Sequence, residues 1–307
     1  MTEQSRQYVI RGDDAVVEMW SGKRVQHGSD VRSDWQKSLK EALRDALSKL
    51  DTSHSTVLAG HYSSTTPVAA RMGDAENSLY TNLAETIPRA FTTLRFERGH
   101  SSPKSPPTPI ELPSGHLHYY RYSVGGTWTS WEPDRTLARW ARVPRRIADG
   151  TDTARPVWFA LREANARRLV SVAGDCALEE DARFGVRVTV HAAKNKSHIA
   201  ITNSEYGIDG VIAAFHDDHL SDELVAAMLP KLRSVSEDEL RRALGSVAGP
   251  VFPTAAVEVS AQGAVRINPA DERCWVGEYS VRRDDSVGRY PEISGELFTI
   301  RSTTPGV

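Results

Sequence analysis

Apolar positions along this chain keep two different periods, and the changes of period mark its elements. Ala15-Val16-Val17-Glu18-Met19-Trp20 reads as a short strand. A helix follows, capped by Ser33 or Asp34, with Trp35, Leu39, Leu43, Ala46, Leu47 and Leu50 along its apolar face. Lys37 and Glu41 add an i,i+4 pair on its wet side. Strands are predicted over residues 55–61 and 91–98, and residues 99–113 hold five prolines, which makes them a loop or an extended edge. The aromatic alternation from Gly115 to Tyr122 favours a strand, and residues 134–142 read as a short helix stopped by Pro144.

The second half is more regular. Val186, Val188 and Val190 alternate with Arg187, Thr189 and His191, the pattern of a half-buried strand. Ile208, Val211, Ile212 and Phe215 fall at i, i+3, i+4 and i+7, one face of a helix. Ser221 caps a helix running to Met228, and Ser236-Glu237-Asp238-Glu239 is a capping box for another, closed by Gly245. Strands return over residues 255–259, 275–281 and 297–301. Without a strict βαβ rhythm, the class is α+β, with mixed sheets and a few helices. The expected division is 1–150, carrying the proline-rich loop 99–113, and 151–307. A strand, a long loop and an acidic helix start occur in both halves, which leaves open either two similar α+β halves or coincidence.

Composition narrows this picture. Of 307 residues, 39% are apolar and 25% charged, so the chain can bury a sizeable core. A net charge of −2 gives no whole-molecule attraction to polyanions, so nucleic-acid binding requires a local patch. The two cysteines, Cys176 and Cys274, have no metal-binding spacing. No apolar run is long enough to span a bilayer, and the opening MTEQSRQYVI has no apolar core. A cytoplasmic protein with no membrane partner is expected.

Candidate chemistry concentrates between Asp209 and His219, where Asp209, Asp217 and Asp218 stand among His216 and His219. Hard divalent cations such as Mg²⁺ take carboxylate oxygens and water. Asp209, Asp217 and Asp218 are therefore candidate ligands, with Asp74 and Glu76 as a second source, and Asp209 and Asp218 are the candidate catalytic pair. The plainer alternative is a polar connection ahead of the next helix. The run Val186-Arg187-Val188-Thr189-Val190-His191, then Ile208-Asp209-Gly210-Val211-Ile212-Ala213-Ala214 and Asp217-Asp218, resembles the RusA-type Holliday-junction resolvases over about 35 residues. That resemblance implies a dimeric, Mg²⁺-dependent enzyme that cuts branched DNA, with Asp209 as its helix aspartate and Asp218 as one of its acidic pair. The family's D-x-D-N run is missing at its usual place, where Asn203-Ser204-Glu205-Tyr206 stands; Asp74-Ala75-Glu76-Asn77 resembles it in the other half.

Two further groups could carry chemistry. His116 and His118 would share one face of a strand and could hold a transition metal with a third ligand, or simply form buried hydrogen bonds. Nine arginines lie between Arg135 and Arg168, opposed only by Asp149, Asp152 and Glu163, with Trp131, Trp140 and Trp158 nearby. Arginine beside aromatic rings suits phosphate contact and base stacking, which makes Arg139, Arg142, Arg145 and Arg146 candidate nucleic-acid ligands. Phosphate-binding glycine loops, a nucleophile elbow and an H-E-x-x-H helix are all absent from the sequence. Two functions are therefore expected: a nucleic-acid-binding protein, as a Mg²⁺-dependent endonuclease-like enzyme or its inactive relic, or a non-catalytic interaction or assembly subunit, homo-oligomeric or bound to a partner, of a bacterial or phage-derived system.

Overall fold

A computed structural model of the chain describes residues 7–26, 33–66, 74–100, 102–145, 154–193, 204–232, 234–245 and 250–303. The fold is α+β and divides into two compact units. Unit 1 comprises Met1–Glu132, Trp275–Glu278 and Ser302–Val307; unit 2 comprises Pro133–Cys274 and Tyr279–Arg301. The sequence placed the division at 150, whereas the first crossing falls at Glu132 and two later segments return to unit 1. No helix among the described residues is long and apolar enough to cross a membrane.

Unit 1 is a sheet with helices on one side. Its strands are β1 (Tyr8–Gly12), β2 (Val16–Ser21), β3 (Val57–Ser64), β4 (Thr93–Arg98) and β5 (His118–Val124), in the order β1-β2-β5-β3-β4, followed by the early part of β11 (Cys274–Arg283). β3 and β4 run parallel; β1–β2, β2–β5 and β5–β3 are antiparallel. Helix α1 (Asp34–Leu47) touches β1 and β2, and α2 (Ala75–Leu79) touches β3 and β4. Alternation then sorts the residues. Val17, Met19, Tyr120, Tyr122, Leu58, Tyr62, Leu94 and Phe96 share one face and are buried. Hydroxyls buried there stay bonded: Tyr122 donates to Leu79 O at 2.9 Å, and Tyr80, at the end of α2, donates to Leu58 O at 2.8 Å. His118 sits on this face, its Nδ1 2.9 Å from the Tyr62 hydroxyl and 3.3 Å from that of Ser64.

Unit 2 holds β6 (Trp131–Pro144, from Pro133 onward), β7 (Val170–Val172), β8 (Phe184–Ala192), β12 (Glu292–Ser302, to Arg301) and the later part of β11, in the order β11-β8-β12-β6-β7. Helices α3 (Arg155–Ala166), α4 (Ser204–Ala214), α5 (Asp222–Met228) and α6 (Glu237–Gly245) pack with α3 touching both α4 and α6. A separate hairpin joins β9 (Val257–Val259) to β10 (Val265–Ile267). Two of the caps read from sequence bond as such: Leu224 N–H bonds Ser221 Oγ at 3.1 Å, and Ser236 and Glu239 cap each other, whereas Ser33 stands at the N-cap of α1 without a side-chain cap bond.

One element differs in kind from its sequence reading. Residues 134–142 form a strand, not a helix. The buried Leu137, Trp140 and Val143 imitate a helical spacing because the strand is irregular: Leu137 and Ala138 are both buried, and Arg142 takes φ 54°. Tertiary packing decides the outcome. The Trp140 ring lies 5.5 Å from that of Phe215 and crosses β12 at Gly295, where a Cβ would come within 2.6 Å of the indole.

Burial, with help from the charges of Arg24 and His116, pushes the His118 ring down from 6.5 to about 4. The folded state therefore holds His118 neutral over a range in which the unfolded chain binds a proton. Stability should be complete above pH 6.5 and fall as pH drops from there towards 4, by up to about 3 kcal/mol, since each tenfold loss of proton affinity corresponds to about 1.4 kcal/mol. Chemical denaturation across that range measures the slope, and His118→Gln should flatten it.

Candidate functional site

The polar face of unit 1 carries a row of charge built by strand register. Glu18 of β2 stands opposite Arg121 of β5, Arg121 opposite His61 of β3, and His61 opposite Glu97 of β4. Because side chains alternate, these four point to the side away from the buried tyrosines. The adjoining row is Ser123, Ala59 and Arg95.

Glu97 anchors the row. It is 3% exposed, and both its oxygens are filled: Oε1 by the His61 ring at 2.9 Å and the Thr129 hydroxyl at 2.6 Å, Oε2 by the backbone N–H groups of Thr129 and Ser130 at 2.9 Å each. Burial pushes its carboxyl upward, but the donors from His61, Thr129 and Ser130 outweigh that and hold it below its ordinary value. An ionised Glu97 fixes the tautomer of His61, with Nδ1–H donating to the carboxylate and Nε2 carrying the lone pair. That outer edge of the ring lies over Gly99, where a Cβ would meet Nε2 and Cε1 at 2.5 Å, so only glycine leaves the ring its place. Nε2 makes no hydrogen bond among the described residues.

A recess of about 10 Å³, room for one water, is bordered by His61, Glu97, Arg95, Arg121, Ser123 and Trp128. Arg95 is committed: it holds Glu278 through Nε at 2.9 Å and Nη2 at 2.6 Å, donates to Gly126 O, and its guanidinium lies 5.8 Å from the centre of the Trp128 ring. Arg121 is not. Its guanidinium reaches only Ser123 Oγ, at 3.4 Å, and has no carboxylate within 4.0 Å among the described residues. Glu18, its row neighbour, is already engaged by Arg11 at 2.6 Å, Lys104 at 3.1 Å and the Tyr119 hydroxyl at 2.6 Å. Burial works against ionised Glu18, yet these three donors hold it down at about 2.

The acidic stretch of unit 2 is placed differently from its sequence reading. Ile208, Val211, Ile212 and Phe215 are buried as their spacing predicts. Asp218, expected to be catalytic and metal-ligating, is instead a structural acceptor. It is 3% exposed; Oδ1 takes the N–H groups of Ala256 at 2.7 Å and Val257 at 2.9 Å, and Oδ2 takes the Trp158 indole at 3.2 Å. Asp217 is half-buried, its backbone N–H bonded to Phe252 O and Thr254 O. His216 is buried between Thr254 O, 2.8 Å from Nδ1, and the Phe252 ring; burial lowers its basicity, although Thr254 and Asp218 pull the other way. Asp209 is half-buried, and the sequence reading missed its neighbour: Asp271 offers a carboxylate oxygen within 4.8 Å of one from Asp209. Asp74 and Glu76 belong to unit 1. There Asp74 caps α2 through Asn77, and Glu76 accepts from the Thr81 hydroxyl at 2.9 Å.

Two of the four candidate nucleic-acid arginines are neutralised. Arg139 pairs with Glu296 at 2.7 Å, and Glu296 is shared with Arg187 at 2.6 Å; Arg142 holds Asp284 and Glu292. Arg145 is half-buried with its N–H on Pro291 O, and Arg146 lies outside the described residues. Ser294, His191 and Asp284 imitate a nucleophile–base–acid series here, His191 Nε2 lying 3.1 Å from Ser294 Oγ. Arg142 Nη1, 3.0 Å from His191 Nδ1, can only donate, so Nδ1 must accept and Nε2 must donate to the serine. A serine nucleophile needs the opposite tautomer. His118 is buried, with its Nδ1 taken up by Tyr62 and Ser64.

The chemistry best assembled in the described residues, His61–Glu97 with Arg121, was not singled out by sequence. His61 ended a predicted strand and Glu97 lay in another, 36 residues apart, and only parallel pairing makes them partners. No protein-family model matches this chain, nor does any curated protein or solved structure.

Truncating Asp218 would leave three buried donors unsatisfied. Asp218→Ala should cost roughly 3 kcal/mol of stability, read as a lowered urea midpoint, without altering any Mg²⁺ binding measured on the folded protein.

Proposed function

We propose that unit 1 is an acid–base site acting on a small anionic ester, phosphate or carboxylate, with water as the nucleophile. The observation that carries this is the combination of an imidazole, fixed at Nδ1 by a buried carboxylate and unbonded at Nε2, with a guanidinium one strand away that lacks a carboxylate partner. His61 Nε2 takes a proton from water as its oxygen attacks the ester. Glu97 stabilises the imidazolium that forms, and the imidazolium returns the proton to the departing oxygen. Arg121 balances the substrate's charge, while Arg95, neutralised by Glu278, borders the recess without adding net charge. The test is hydrolysis of p-nitrophenyl phosphate and of the anionic carboxylate ester mono-p-nitrophenyl succinate, with inorganic phosphate binding followed by NMR. His61→Asn should lower turnover by about 10²–10⁴-fold while phosphate still binds; Arg121→Gln should weaken phosphate about tenfold, a loss of about 1.4 kcal/mol. Turnover indifferent to His61, together with phosphate shifts indifferent to Arg121, defeats the reading.

A second reading rests on one observation in unit 2, the closeness of Asp209 and Asp271. Two half-buried carboxylates this close suit Mg²⁺, and the resolvase-like stretch around Asp209 would make the ion's work phosphodiester cleavage in nucleic acid. Calorimetric Mg²⁺ titration should give saturable heat that Asp209→Asn and Asp271→Asn each abolish. Absence of heat from the unaltered protein at millimolar metal removes this reading and leaves the first intact.

A further inference from the structure

The β9–β10 hairpin has one edge that nothing in the described structure covers. Ser260 N–H bonds Ala264 O and Asn268 N–H bonds Ala256 O, each at 2.8 Å, and the register pairs Val259 with Val265 and Val257 with Ile267. Bonded pairs alternate with non-bonded ones in an antiparallel ladder. Val257 and Val259 therefore occupy the non-bonded positions, and their N–H and C=O groups point away from β10. Asp218 Oδ1 takes the Val257 N–H. Among the described residues, the Val257 carbonyl and both backbone groups of Val259 are bonded to nothing.

Beside these groups runs an open groove of about 240 Å³, bordered by Val257, Val259, Leu224, Ser221, His219 and Glu223. Its floor is apolar and Glu223 is the one carboxylate on its rim. Exposed Glu258 projects from the other face of β9, with Arg266 of β10 opposite it on one side and the open edge on the other. Asp222 is excluded from this count because Arg241 pairs with it at 2.7 Å. A second copy of the chain is a poor occupant: β9 paired with itself about Glu258 would set two like charges opposite each other.

We propose that β9 takes up an extended basic segment of a partner protein as a third strand. The added strand bonds the Val259 N–H and the Val257 and Val259 carbonyls. Its small apolar side chains enter the groove against Leu224, and a lysine or arginine stands across from Glu258 with another near Glu223. Main-chain bonds supply the affinity and alternate side chains the selectivity, the usual division in strand addition.

The probe is the peptide acetyl-Lys-Val-Lys-Val-Lys-amide, with acetyl-Glu-Val-Glu-Val-Glu-amide as control, added to the whole ¹⁵N-labelled protein. The basic peptide should shift the Val257 and Val259 amides, slow exchange of the Val259 N–H about tenfold or more, and bind more weakly as salt rises. Glu258→Lys and Glu223→Lys should each weaken it about fivefold or more. Val259→Pro removes the outward N–H at an edge position that tolerates proline, and should abolish binding while the Val265 amide keeps its place in the spectrum. Should that variant misfold, the two charge reversals carry the test. Equal binding of the acidic control, undiminished binding by the charge reversals, shifts confined to other residues, or a peptide-free dimer already protecting Val259 would each overturn the proposal.

Discussion

The carboxylate of Glu97 is the constraint on which unit 1's polar face depends. Burying an ionised carboxylate without partners costs several kcal/mol, and four donors offset that cost here. Three of them come from Thr129 and Ser130, so the bend ahead of β6 is tied to β4. The fourth comes from His61, so the ring's orientation follows from the same requirement. A histidine on an open sheet face would otherwise sample several rotamers. Here its Nδ1 is committed, Gly99 leaves room for its outer edge, and parallel pairing of β3 with β4 sets the two residues side by side.

Unit 2 solves its own burial problem with a different set of groups. Arg162, 1% exposed, finds no carboxylate oxygen to bond and is satisfied by carbonyls instead: Ala243 and Leu244 near the end of α6, His216 and Asp218 after α4. Burial lowers its basicity, and the nearby Asp217 and Asp218 oppose that. The same Asp218 side chain accepts from the start of β9 and from Trp158. Arg162 and Asp218 therefore join α3, α4, α6 and the hairpin strand through a network in which each buried group meets a partner. The density of polar residues that drew notice in the sequence around Asp209–His219 is thus partly the signature of a buried junction. Chemistry and structure both call for clustered polar groups, and one chain read alone does not separate them.

What was legible follows the range of the interactions concerned. Caps, alternation and helical stripes are local, so Ser221, the Ser236–Glu239 box, the β8 valines and the α4 stripe all read correctly. Where a distant contact decides, the reading failed. Residues 134–142 carry a plausible helical spacing, yet Trp140 is claimed by Phe215 and Gly295, and a strand results. The division at Glu132 was hidden because Trp275–Glu278 and Ser302–Val307 return to unit 1 from far along the chain. The candidate site was hidden for the same reason: no local pattern announces that residues 61, 97 and 121 share one row.

Charge alone did not distinguish a working surface from a solvated one, but its neutralisation does. The arginines of β6 were prominent in sequence, and each that can be followed has its own answer: Arg139 and Arg187 converge on Glu296, and Arg142 is held by Asp284 and Glu292. Exposed pairs of this kind contribute about 0–1 kcal/mol each to stability, yet they cancel the field that a phosphate would feel. Arg121 is a single cation, inconspicuous in sequence, whose neighbour Glu18 is already taken by Arg11, Lys104 and Tyr119. Its guanidinium has no carboxylate within 4.0 Å among the described residues, and the one carboxylate bordering the same recess, Glu97, has both oxygens filled by other donors. That guanidinium, bonded among the described residues only to Ser123 Oγ at 3.4 Å, is the cation on which the proposed anion site rests.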